Sequence, residues 1–245
     1  MTILTRNHAD LALEVKAHIE ADAVIQGQYW DGSKGCFIGC LTHSSDPELA
    51  VERFGLPEPL LRIAENIFEA LPDDEGRAFF AALPDAVGCD GKDLSRVHWT
   101  FLAAELRLLP TVPADIQAVI DLVIKGMDTL ASGEDWSQAA YAADAAYAYA
   151  DADAAYAAYA AAYVADAACA YAAAYVADAA CADVDAADAA YAAADAAYAA
   201  RTAADAIRAV ADATSSSDYA KVNTRIRQRD SLLERIKKAP MGDQA

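Results

Sequence analysis

Through the first half of the chain, apolar side chains recur at three- and four-residue intervals, the spacing that gathers them on one face of an α-helix. Leu11, Ala12, Val15, Ile19 and Ala23 predict a first helix over 10–25, with Asn7 or Thr5 as its cap. The pattern stops at Gln26 to Gly35, where Asp31-Gly32 and Gly35 supply the permissive backbone of a loop, with Trp30 as a lid on the core. Asp46 followed by Pro47 predicts the start of a short helix carrying Ala50, Val51 and Phe54, and Gly55 ends it. Leu60, Leu61, Ile63, Ala64, Ile67, Phe68 and Leu71 predict a helix over 57–71, and a shorter one follows over 73–83, closed by Pro84. Val97, Phe101, Leu102, Leu106 and Leu109 predict a helix over 93–109. Ile116, Val119, Ile120, Leu122, Val123 and Ile124 predict another over 114–130. Residues 1–131 therefore read as a small helical domain with ordinary core formers.

After Gly133 the pattern changes. Of the 60 positions from Tyr141 to Ala200, 36 are Ala, 10 are Tyr and 9 are Asp, and neither Gly nor Pro occurs between Gly133 and Pro240. Alanine has the highest helix propensity and no breaker interrupts it, so residues 132–213 predict long Ala-rich acidic helices. Asp-Ala-Ala-Tyr recurs, as at Asp188 to Tyr191 and Asp195 to Tyr198, placing Asp and Tyr on one helical face. One straight helix of this length would run about 90 Å at 1.5 Å per residue. An antiparallel bundle, broken near Asp183-Val184-Asp185, is preferred to one extended arm. Whether the Tyr rings are core knobs or an outward ladder stays open. Without Gly the stretch is neither collagen-like nor silk-like, and its unit spacing keeps no multiple of five. Residues 214–245 add a loop and a basic helix over 219–238. The fold class is all-α.

Charge narrows the partners. The 245 residues carry a net charge of −19, and Glu134 to Asp195 supply eleven negative charges with no Lys or Arg among them. A field of one sign excludes direct nucleic-acid and anionic-membrane binding and suits a protein with a basic surface. The apolar runs fall short of the roughly 20 residues a membrane span needs. Five cysteines, unevenly spread and without a signal-peptide pattern, fit a reducing cytoplasm without disulfides.

Catalytic chemistry finds little footing, and no catalytic residue is assigned. Cys36, Cys40 and His43 have a Cys-x3-Cys-x2-His spacing that suits zinc, with Cys89, His98, His18 or Asp31 to supply a fourth ligand. No second paired motif completes it; the alternative is that both cysteines pack as small buried residues around Gly39. A thiol nucleophile would lack a third member, and His8 and His18 read as solvated flanks of the first helix. No cofactor other than zinc is implied.

Gly27-Gln-Tyr-Trp-Asp-Gly, Gly35-Cys-Phe-Ile-Gly-Cys-Leu-Thr-His43, Ser44-Ser-Asp and Ile67-Phe-Glu-Ala-Leu71 precede the Ala/Tyr/Asp tail. In these the chain resembles a group of uncharacterised bacterial and phage-borne proteins. The resemblance implies a prokaryotic or mobile-element accessory protein and carries no activity. The expected function is a non-enzymatic acidic interaction protein, a nucleic-acid mimic such as a phage counter-defence inhibitor. Asp144, Asp151, Asp166, Asp178, Asp188, Asp195, Tyr191 and Tyr198 would make its contacts. The alternatives are a helix-bundle scaffold that self-associates through its Ala faces, and a zinc or thiol protein using Cys36, Cys40 and His43.

Overall fold

The computed structural model describes residues 3–109, 114–136, 142 and 218–242. The expected Ala-rich helices, their break and all eight contact residues named above lie outside the described residues. Within them are eight helices: α1 (His8–Glu20), α2 (Phe37–Thr42), α3 (Glu48–Phe54), α4 (Glu58–Glu69), α5 (Asp73–Val87), α6 (Val97–Leu106), α7 (Ala114–Ser132) and α8 (Asp218–Lys238). Among the described residues there is no strand, only isolated bridges such as Val24 with Gly35. None of these helices is long and apolar enough to cross a membrane.

The chain forms two compact units, one of Met1–His98 with Ser217–Ala245 and one of Trp99–Ser216. Within the first unit, α8 packs on α4 and α5. Leu232 and Ile236 of α8 are fully buried, so its apolar residues are part of the first unit's core.

In that unit α4 buries Leu60, Leu61, Ile63, Ala64, Ile67 and Phe68, the face its periodicity predicts. Phe37 of α2 stands among Phe68, Phe79 and Phe80, at ring-centre distances of 5.9, 5.2 and 5.3 Å. Each such buried aromatic is worth about 1.5–3 kcal/mol against exposure. The buried Lys92 ammonium donates to the carbonyls of Lys237 at 2.8 Å, Ile236 at 3.2 Å and Ala86 at 3.4 Å. One cation thereby serves the orphan carbonyls at the ends of both α5 and α8, where the helix dipole also favours positive charge.

Three helices differ from their sequence-based bounds by three residues or more. α1 ends at Glu20, not near Ile25: Asp22 takes a left-handed conformation (φ 52°), and Ile25 N–H donates to Gly35 O at 2.9 Å. α5 continues past Pro84 to Val87. The missing N–H costs one helical bond and the ring strains the turn, about 3 kcal/mol, but Leu83, Pro84, Ala86 and Val87 are all buried by continuing. α6 starts at Val97 rather than Asp93, whose Oδ1 accepts the Ser95 N–H at 2.9 Å and whose N–H donates to Pro240 O. The cysteine segment forms a further helix, α2, that its hydrophobic pattern does not mark.

In the second unit, α6 buries Phe101, Leu102, Ala103 and Leu106, and α7 buries Ile120, Val123, Met127 and Leu130. The Trp136 ring lies against Gly126, where a β-carbon would stand 2.2 Å from it.

Candidate functional site

The chemistry-bearing side chains of the first unit gather on either side of α2. The helix is held there by glycine. A β-carbon on Gly39 would stand 1.3 Å from the carbonyl oxygen of Tyr29, and one on Gly35 would stand 2.1 Å from it. The 26–35 loop therefore lies directly on the helix, and Cys36 N–H donates to Gln28 O at 2.9 Å.

On one side, Cys36 meets Glu65 and Glu69 of α4. Glu65 Oε2 accepts the Ile38 N–H at 2.8 Å, and Glu69 Oε2 accepts the Gly27 N–H at 2.7 Å. An open cleft of about 220 Å³ is lined by these three side chains with Gly27, Gln28 and Tyr29. Burial pushes the Glu65 carboxyl up to about 7, against the hydrogen bonds from Cys36 and Ile38 that pull it down. Burial, reinforced by the Glu65 charge, raises the Cys36 thiol far above its ordinary range. Cys40 is pushed up to about 12 by burial, and its Sγ–H points at Gly35 O, 3.1 Å away.

On the other side, Glu14 and His18 project from one face of α1 at i, i+4 spacing, and His43 reaches them from the end of α2. His43 occupies the left-handed position that closes α2 (φ 54°, ψ 33°), a place usually taken by glycine. That backbone turn carries its ring away from the cysteines and over α1. His43 Nε2 lies 3.1 Å from Glu14 Oε1 and 3.2 Å from His18 Nε2. The second carboxylate oxygen, Glu14 Oε2, pairs with Arg53 of α3. His18 Nδ1 lies 2.9 Å from the Glu14 carbonyl oxygen. A carbonyl only accepts, so Nδ1 carries a proton, and Nε2 is the ring nitrogen turned toward His43. Trp30 stacks on His43 with centroids 4.5 Å apart and meets His18 edge-on at 5.6 Å.

Cys36, Cys40 and His43 therefore do not converge. Cys36 belongs to the carboxylate group, His43 to the imidazole group, and Cys40 to neither, because its sulfur is turned to backbone carbonyls. Both cysteines are buried around Gly39. His18 is buried rather than solvated, at 7% exposure, and His8 Nε2 lies 2.9 Å from Pro84 O. Glu14, Arg53, Glu65 and Glu69 were not singled out from sequence. The one signal available was the Glu14/His18 spacing on a predicted helix.

No family model, curated protein or solved structure matches the chain.

Proposed function

We propose that this chain is a non-enzymatic interaction protein, in which a helical platform carries an acidic tract to a basic surface on another protein. The observation that carries the reading is the tract itself: eleven Asp and Glu from Glu134 to Asp195, and no Lys or Arg between Lys125 and Arg201. A run of carboxylates of this kind has the sign of charge to occupy a groove that otherwise holds phosphates. The chain's densest run of basic residues, Lys221 to Lys238, is in α8, and several of its cations have partners within the first unit. Arg225 Nη1 donates to Asn66 Oδ1 at 3.2 Å and to Gln228 Oε1 at 3.0 Å, while Arg229 pairs with Glu75 and Asp230.

The thiol alternative is weakened by chemistry. A thiol nucleophile must ionise, and burial holds Cys36 and Cys40 in the neutral form at physiological pH. The phage counter-defence version rests on the resemblance noted above and adds a partner class, a nucleic-acid-processing enzyme of a host.

The test is displacement of a fluorescent DNA duplex from a basic DNA-binding domain by the full chain. Wild type should displace it, and a variant with Asp144, Asp151, Asp166, Asp178, Asp188 and Asp195 all changed to Asn should lose at least tenfold in potency. Equal potency of the two overturns the reading. Light scattering that shows stable self-association and no displacement would favour the scaffold instead.

A further inference from the structure

We propose that Glu14, His18 and His43 form a site for one divalent transition-metal ion of the zinc type, with a fourth coordination position open. It is separate from the acidic tract and independent of the tract's function.

The donor set is two imidazole nitrogens and one carboxylate oxygen, which suits zinc and its neighbours rather than magnesium or calcium. Geometry agrees with that chemistry. Zinc holds nitrogen and oxygen ligands at about 2.0–2.1 Å, which sets the ligand-to-ligand edge of a tetrahedron at about 3.3–3.4 Å. Two edges of this triangle, His43 Nε2 to His18 Nε2 and His43 Nε2 to Glu14 Oε1, are 3.2 and 3.1 Å. These two pairs thus already stand at nearly the separation a bound ion needs, and ligand atoms of all three residues lie within 4.8 Å of one another.

Hydrogen bonding alone serves this arrangement poorly. In the tautomer with the His18 proton on Nδ1 alone, both His18 Nε2 and Glu14 Oε1 are acceptors, and one N–H on His43 faces them both. A cation satisfies all three at once. The surroundings are those that orient metal ligands. The Glu14 carbonyl fixes the His18 tautomer, Arg53 occupies Glu14 Oε2 and leaves Oε1 as a single donor, and Trp30 holds both rings in place. His43 keeps a left-handed backbone, a strained conformation for a residue with a β-carbon. Its side chain is 48% exposed, so an ion and a water can reach the site, while His18 and Glu14 are shielded at 9% and 12%. The group of Cys36, Glu65 and Glu69 lacks these properties. Its thiol is held neutral, and both carboxylates already accept backbone N–H bonds.

The experiment uses the full chain, stripped with EDTA, and Co²⁺ and Zn²⁺ as probes. Calorimetry should show one tight Zn²⁺ per chain above any weak binding to carboxylates. Co²⁺ should give the intense visible bands of a four- or five-coordinate ion, displaced by Zn²⁺ and not by millimolar Mg²⁺. His43→Asn keeps a residue that tolerates the left-handed backbone, and Glu14→Gln keeps an acceptor for Arg53. Each should weaken Zn²⁺ binding at least tenfold while melting like the wild type without metal. Cys36→Ser and Glu65→Gln should leave binding unchanged. Absence of a one-to-one site, wild-type affinity in His43→Asn, displacement by Mg²⁺, or loss confined to Cys36→Ser would each overturn the assignment.

Discussion

Charge is distributed differently in the two units. The first, residues 1–98 with 217–245, has 15 Lys and Arg against 21 Asp and Glu; the second, residues 99–216, has 4 against 17. In the first unit, charges of opposite sign meet at defined positions: Arg53 with Glu14, Arg62 with Glu58, Arg77 with Asp22, Arg229 with Glu75 and Lys238 with Glu234. In the second, the long acidic tract has no cation in its sequence to do the same. In the first unit opposite charges meet within the structure; the tract carries charge of one sign only in its sequence. Exposed pairs contribute little stability, about 0–1 kcal/mol each. What holds the first unit together is its packing, and substitutions in the two regions should have opposite kinds of effect.

The largest expected effect is at Gly39. Gly39→Ala puts a methyl where the Tyr29 carbonyl already sits. The loop and α2 must separate, and the loss should be about 4 kcal/mol or more, read as failed folding or a collapsed denaturation midpoint. Asp195→Asn in the tract should leave the first unit's midpoint where it is. If the two variants melt alike, the contrast between regions is broken. Next comes Leu232→Ala, which empties a fully buried position on α8 and should cost about 2–5 kcal/mol by urea denaturation.

A smaller effect concerns pH. The folded carboxyl of Glu65 has its pKa raised to about 7 from the ordinary 4.5, so between those values the native state holds a proton that the unfolded chain has lost. Stability from this group is present below pH 4.5 and is lost as pH rises through 7. Glu65→Gln mimics the protonated acid, so wild type and variant should be closely matched at pH 4.5. At pH 8 the variant should be the more stable, by on the order of 2 kcal/mol, in paired denaturation curves. A difference that does not change with pH would remove the case for a buried, neutral Glu65. The smallest effect is at Lys238→Met, which breaks an exposed i, i+4 pair with Glu234 and should shift stability by less than about 0.5 kcal/mol.

Much of the helical order of the first unit was legible in the sequence, because it rests on local rules. The 3.6-residue period of Leu60 to Phe68 marks α4 and its buried face, and Gly55 marks the end of α3 with φ 67°. The exceptions arise where a distant contact overrides a local preference. Pro84 is a helix breaker by its own chemistry, yet burial of Leu83 and Val87 carries α5 past it. α2 has only six residues, with a glycine in its middle and no room for a periodic face. The imidazole group was hidden for a different reason. Glu14 and His18 are local neighbours, but His43 joins them across 25 residues, brought there by a left-handed turn that no single residue type announces. Cys36, Cys40 and His43 are close in sequence. The fold sorts them by side-chain direction, and closeness along the chain did not predict it.

The functional account stands on the acidic tract meeting a cationic partner, and salt tests that. Affinity of the full chain for a basic DNA-binding domain is to be measured from 50 to 500 mM NaCl. Screening acts over about 10 Å at 0.1 M and far less above it, so the dissociation constant should rise steeply, at least a hundredfold across the range. A dissociation constant that is flat with salt would mean that the carboxylates do not make the contact, and the proposed function would fall.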